Sequence, residues 1–143
     1  MNQTPELKIL FKHASVALER AYAPYSKHPV GSAIQSPDGH IFVGANVEVA
    51  HFKGLCAEAS AIASMISAGH RKIQAIAVVG PGRHLCSPCG DCRQRIREFA
   101  DAATRIHVFD RAGNLMKTYT IEQLLPDSFG PDNVSEMQTN PAP

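Results

Sequence analysis

The chain has 143 residues, 44% of them hydrophobic, 19% charged and 6% aromatic, with 14 Lys+Arg against 13 Asp+Glu for a net charge of +1. That length suits one domain, which buries roughly two thirds of its unfolded surface and needs no staples to fold. The balanced charge disfavours a strongly basic nucleic-acid binder and an acidic tail alike. No apolar run approaches the roughly 18 residues of a membrane span, and Met1–Pro5 opens no signal peptide, so a cytoplasmic chain is expected.

Leu7, Leu10, Phe11, Ala14, Ala17, Leu18 and Ala21 recur at helical spacing. Thr4 and Pro5 supply a cap and a first-turn proline, so the first helix is expected from about Pro5 to Tyr22. Val30–Ser36 and His40–Ala45 read as strands joined through the Pro37-Asp38-Gly39 turn. An Ala-rich helix is expected over Cys56–Ala68, closed by Gly69. Ile73–Val79 is almost continuously apolar, which suits a strand buried on both faces. Pro88 can occupy the first turn of a third helix that runs to Arg97 or Phe99. Arg105–Phe109 and Leu115–Tyr119 flank a second hairpin turn, and Thr120 caps a short helix, Ile121–Leu125. The order α-β-β-α-β-α-β-β-α places the chain in the α/β class, with helices on both faces of a sheet. Residues 1–134 are expected to form the single domain and residues 135–143 a disordered tail.

Three of the four cysteines, Cys86, Cys89 and Cys92, stand close together, with Cys56 apart. Four are too few for a disulfide scaffold, which leaves metal or redox chemistry. Cys56-Ala57-Glu58 opens the second helix, and Pro88-Cys89-Gly90-Asp91-Cys92 opens the third. Cysteines three apart in a first helical turn share one face, and a helix N-terminus favours the thiolate that a metal requires. Two such helix starts facing each other could offer Cys56, Cys89 and Cys92 to one ion. Three protein ligands with an open fourth position describe a catalytic zinc site. Glu58 is then a carboxylate next to the open position, and the pair of motifs matches the signature of zinc deaminases. Zinc brings the pKa of bound water from about 9 toward about 7, and a nearby carboxylate can shuttle protons between that water and the ring it attacks.

The motifs alone leave alternatives open. Cys86 could complete a four-cysteine structural zinc site, the three clustered cysteines could ligate an iron–sulfur centre, or one C-x-x-C pair could be a redox couple. Cys86 precedes the helix signal and reads as a buried or spare thiol.

Longer stretches widen the comparison. Ala21-Tyr22-Ala23-Pro24-Tyr25-Ser26-Lys27, Gly44-Ala45-Asn46-Val47-Glu48, Cys56-Ala57-Glu58, Ser87-Pro88-Cys89-Gly90-Asp91-Cys92-Arg93-Gln94 and Leu124-Leu125-Pro126-Asp127-Ser128-Phe129-Gly130-Pro131 follow in order. Together they resemble the cytidine deaminase family, in its small, homotetrameric, all-cysteine branch. The resemblance implies a three-layer α/β/α sandwich around a mixed five-stranded sheet and one zinc ion per chain. It implies hydrolytic deamination of a free cytosine nucleoside, cytidine or deoxycytidine, in active sites shared between subunits. Glu58 would be the catalytic proton carrier, and Asn46 and Glu48 would bond the ribose hydroxyl. The backbone of Ala57 and Ser87 would read the polar edge of the ring, and Phe129 would stack on the base from another subunit.

The departures concern the substrate. The family usually carries an aromatic residue where His28 stands beside the nucleoside, Asn at Val49, and Ser-Tyr at His51-Phe52. It also usually carries Arg directly after the catalytic Glu, where this chain has Ala59. Three thiolates leave a zinc centre with a net negative charge, and Arg93 is the nearest cation in sequence, with Asp91 opposing it. Blasticidin S deaminase, a relative, also lacks that Arg, so a modified cytosine nucleoside is the alternative substrate. A polynucleotide deaminase would need to grip phosphates, yet only Arg93, Arg95 and Arg97 cluster, on a helix shared with Glu98. A non-enzymatic zinc module would have no use for Glu58.

Overall fold

The computed structural model describes residues 3–139, with side chains through residue 135. Ten elements follow in the order α1 (Pro5–Glu19), β1 (Gly31–Gln35), β2 (Ile41–Ala45), α2 (Ala57–Ser67), β3 (Ala75–Val79), α3 (Gly90–Phe99), β4 (Arg105–Phe109), β5 (Leu115–Tyr119), α4 (Ile121–Leu124) and α5 (Pro131–Thr139). The strands form one sheet in the order β2-β1-β3-β4-β5. β3 and β4 pair in parallel and the other neighbours are antiparallel, as the expected mixed five-stranded sheet requires.

Alternation along the central strands divides the core. Ala33, Ala77, Val79 and Phe109 pack with Leu10, Ala14 and Leu18 of α1. Ile34, Ile76 and Ile106 point the other way, toward Ala61, Ile62 and Met65 of α2, Ile96 of α3 and Ile121 and Leu124 of α4. The result is a three-layer α/β/α sandwich. β3 is apolar throughout because both of its faces are covered.

Two glycines let helices lie directly on strands. A Cβ on Gly31 would stand 2.0 Å from the Ala14 carbonyl oxygen, and one on Gly44 would stand 2.2 Å from the Ala61 backbone nitrogen. No side chain fits in either place. The contact at Gly44 presses α2 onto β2 and so fixes where the α2 N-terminus stands.

Several boundaries differ from those expected. α1 ends at Glu19 rather than Tyr22, because Tyr22 leaves the helix to pair with the segment after β2. Its N–H donates to Asn46 O at 3.0 Å, and its carbonyl accepts from Glu48 N at 2.8 Å. Pro88 lies outside α3, since Cys89 holds extended backbone at the N-cap and the helix begins at Gly90. β3 starts at Ala75, because Ile73 N instead donates to Phe99 O and Gln74 N to Gln35 O. The segment expected as a disordered tail begins inside α5, which extends to Thr139; residues 140–143 lie outside the described residues. Thr120 caps α4 as expected, in a reciprocal capping box with Gln123.

Candidate active site

α2 and α3 lie side by side on one face of the sheet, and their N-termini meet. Cys56 is the N-cap of α2 and Cys89 the N-cap of α3, and neither thiol bonds the backbone N–H groups of its own helix. Both thiols point instead toward each other, with Sγ atoms 3.8 Å apart. Cys92, in the first turn of α3, completes the group, and the three sulfur atoms lie within 4.8 Å of one another. Cys92 is fully buried, Cys56 partly buried and Cys89 exposed, so the cluster opens toward solvent on one side.

The donor set fits a zinc ion. Two thiolates on a tetrahedral zinc with bonds of about 2.3 Å stand about 3.8 Å apart, which matches the Cys56–Cys89 separation. All four cysteines are free thiols. The electrostatics call for a cation too. Burial, with Cys89 and Glu58 nearby, raises the Cys56 thiol to about 11, and burial with the Glu58 charge raises Cys92 further. Burial thus works against the thiolate form, and a bound cation is what would hold these sulfurs as thiolates.

Cys86 stays outside the sulfur cluster. Its thiol is raised by burial and, secondarily, by the Glu58 charge. Its Cβ lies so close to Gly80 that a Cβ there would stand 2.6 Å away. The four-sulfur arrangement that the motifs alone left open is therefore not assembled.

Glu58 follows Ala57 into the first turn of α2 and is 4% exposed. Cys92 Sγ lies 3.5 Å from its Oε2. Burial pushes the Glu58 carboxyl above its ordinary range. Glu48 is shifted the opposite way: the Ser26 hydroxyl, with the Ser26 and Tyr25 N–H groups, donates to its carboxylate and favours the charge. One carboxyl is suited to carrying a proton and the other to accepting hydrogen bonds.

A cavity of about 380 Å³ leads to the cluster, and His28, Asn46, Glu48, Ala57 and Ser87 line it with Cys56, Glu58 and Cys89. The Asn46 side chain also holds the loop. Its Oδ1 accepts from Val30 N at 2.9 Å and its Nδ2 donates to His28 O at 3.0 Å, with a second amide hydrogen and a second lone pair to spare. The His28 Nε2 stands 3.5 Å from the Nε2 of His84. Phe129 is not on this wall. It is 59% exposed, and its carbonyl accepts from Gln94 Nε2 at 2.9 Å. Sequence spacing does not single out Ser26, Val30 and Cys86 as wall residues. Only Ser26 carries a signal, within the Ala21-Tyr22-Ala23-Pro24-Tyr25-Ser26-Lys27 stretch of the family resemblance.

The arginine cluster is engaged within the fold. Arg93 donates to Pro88 O at 2.7 Å, Leu124 O at 2.9 Å and Ser87 Oγ at 3.3 Å, bracing the loop that carries Cys89. Arg95 pairs with Asp91 at 3.0 Å, which offsets the acidic group beside the sulfurs. Arg97 meets Asp132 and Ser128.

Residues 5–108 match the model of the cytidine and deoxycytidylate deaminase zinc-binding region. The chain belongs to that family. It is 37% identical over 131 residues to a cytidine deaminase of Sporosarcina psychrophila, covering 91% of this chain and 96% of that one. A crystal structure of cytidine deaminase from Burkholderia pseudomallei superposes with a TM-score of 0.81 at 38% identity, over 89% of this chain and all of that one (100%). The Mycobacterium tuberculosis cytidine deaminase structure gives a TM-score of 0.75 at 32% identity, over 85% and 95% of the two chains. The sandwich is thus the cytidine deaminase fold, and within the matched zinc-binding region Cys56, Cys89 and Cys92 are close enough to bind one metal ion. Among the described residues no helix is long and apolar enough to cross a membrane.

Proposed function

We propose that the chain hydrolytically deaminates a free cytosine nucleoside, cytidine or deoxycytidine, to the uracil nucleoside and ammonia. The observation that carries this reading is the buried Glu58 carboxyl, which touches the sulfur cluster at the base of an open cavity. Cys56, Cys89 and Cys92 would hold one zinc ion, which supplies the Lewis acidity that makes water a nucleophile near neutral pH. Glu58 takes the proton that water gives up. It delivers that proton to the ring nitrogen next to the amine-bearing carbon, and then assists protonation of the departing amine. Cytosine plus water becomes uracil plus ammonia, and Glu58 ends as it began.

The cavity wall supplies the grip. Glu48, held ionised by Ser26, accepts from a ribose hydroxyl, and the free N–H of Asn46 donates to it. Ala57 and Ser87 line the cavity, and their backbone groups would read the polar edge of the ring. Phe129 is exposed and is not among the residues that line its own cavity, which suits stacking on a base bound by a neighbouring subunit in a homotetramer. The engagement of Arg93, Arg95 and Arg97 within the fold supports a free nucleoside over a polynucleotide. The free thiols suit a reducing, cytoplasmic setting.

A modified cytosine nucleoside is the second reading, and His28 favours it. Its imidazole lines the cavity as a polar ring, with the centre of the His84 ring 5.7 Å from it. A spectrophotometric panel of cytidine, deoxycytidine, N4- and 5-substituted cytosine nucleosides, cytosine and blasticidin S separates the readings. Turnover of cytidine and deoxycytidine is expected; turnover of modified nucleosides alone would select the second reading, and no turnover at all would refute both.

A further inference from the structure

A second group of metal-binding side chains lies at the other end of α2 from the thiols. The β1–β2 turn carries Asp38 and His40, and His70 follows the α2 C-terminus. Asp38 Oδ2 lies 3.1 Å from His40 Nδ1, and its other oxygen lies 3.7 Å from His70 Nδ1. The two imidazoles face each other at 5.0 Å between ring centres. One ligand atom from each of the three residues falls within 4.8 Å of the others.

The group is held in place by the fold. Ser36 N donates to His40 O, and Gly39 N to Ser36 O, both at 2.9 Å, which closes the turn. His70 N donates to Met65 O at 3.1 Å, and the His70 ring rests on Phe42 at 4.9 Å. The Ser36 hydroxyl donates to Asp38, which keeps that carboxylate oriented and charged. The core that joins β1, β2 and α2 therefore brings the three ligands together before any ion arrives. All three remain reachable from solvent, with His40 65% and Asp38 55% exposed and His70 25%.

We propose that Asp38, His40 and His70 form a second metal site, for a divalent transition cation of the nickel, copper and zinc class. Two neutral imidazoles and one carboxylate give a nitrogen-rich donor set, which suits these ions rather than magnesium or calcium, whose ligands are oxygens. Water completes the coordination. Such an ion ties the β1–β2 turn to the end of α2, far from the deaminase cavity, and leaves that chemistry untouched.

The test uses zinc-loaded protein titrated with Ni²⁺ alone, followed by equilibrium dialysis and by two-dimensional amide NMR. One further nickel equivalent per chain is expected, with paramagnetic broadening centred on residues 38–40 and 70. The H40A/H70A double variant should lose both signals while keeping its zinc and its deaminase activity. If H70A disturbs folding, H40N and D38N, on an exposed turn, carry the test. Broadening centred on other histidines, nickel–thiolate absorption without turn broadening, or nickel uptake unchanged in the variants would overturn the proposal.

Discussion

Glu58 Oε2 and Cys92 Sγ lie 3.5 Å apart, and both residues are buried. The proposed proton carrier and a proposed metal ligand are thus packed together on two different helices, so movement of either helix would disturb both proposed roles.

Glu58→Gln keeps the size of the side chain and removes its ability to accept and return a proton. Turnover should fall by at least about 10²-fold, the lower end of what a positioned acid–base group contributes. Zinc content and thermal unfolding should stay near wild type. Near-normal turnover would remove Glu58 from its role.

Cys86→Ser separates the sulfur cluster from the neighbouring thiol. The variant should keep one zinc per chain by elemental analysis, whereas Cys92→Ser should lose it. A clear loss of zinc in Cys86→Ser would make Cys86 a ligand.

Phe129→Ala tests whether the exposed ring serves a neighbouring subunit's cavity. A rise in KM for cytidine is expected, with the fold retained. An unchanged KM would leave the ring a structural role only.

Gly44→Ala places a methyl group against the backbone of α2. The 2.2 Å approach to Ala61 N forces the helix off the strand, at about 1–3 kcal/mol or more by overpacking. Because α2 carries Cys56 and Glu58, zinc retention should weaken alongside stability. Wild-type urea midpoints and zinc retention in this variant would contradict the packing argument.

His107 sits in β4, mostly buried, with its Nδ1 2.9 Å from Thr118 Oγ1. Burial, aided by the Arg105 charge, lowers its pKa below 6.5. The folded protein therefore binds fewer protons here than the unfolded chain does. The resulting stability is complete above pH 6.5 and drains away as the pH falls through 6.5 toward the folded value. His107→Gln should flatten the decline in Tm between pH 7 and pH 5. A decline of equal slope in both proteins would show that this imidazole is not responsible.

Much of the architecture was legible from local patterns. The stripe from Leu7 to Leu18 announced α1, and the apolar run ending at Val79 announced a strand covered on both faces. The C-A-E and P-C-x-x-C motifs pointed to the three thiols and the carboxyl that the fold brings together. The misplaced boundaries have long-range causes. Tyr22 continues a helical pattern, yet pairing with Asn46 and Glu48, remote in the chain, draws it out of α1. Arg93 reads as a cation beside the thiols, and only the folded structure shows it spent on Pro88, Leu124 and Ser87. The opposed shifts of Glu48 and Glu58 likewise depend on burial and on Ser26, which no spacing rule encodes.

The helix starts at Cys56 and Cys89 carry a cost that Thr4 and Thr120 avoid. Those two threonines bond the first turns of their helices through their hydroxyls, while the two N-cap cysteines make no such bond. A bonded cap contributes about 1 kcal/mol, so the chain gives up stability at both places where it could hold its metal. A bound ion would return that loss by binding only the folded state. Serine in either place would suit the helix better and the reaction worse, which makes these two positions a local conflict between durability and catalysis.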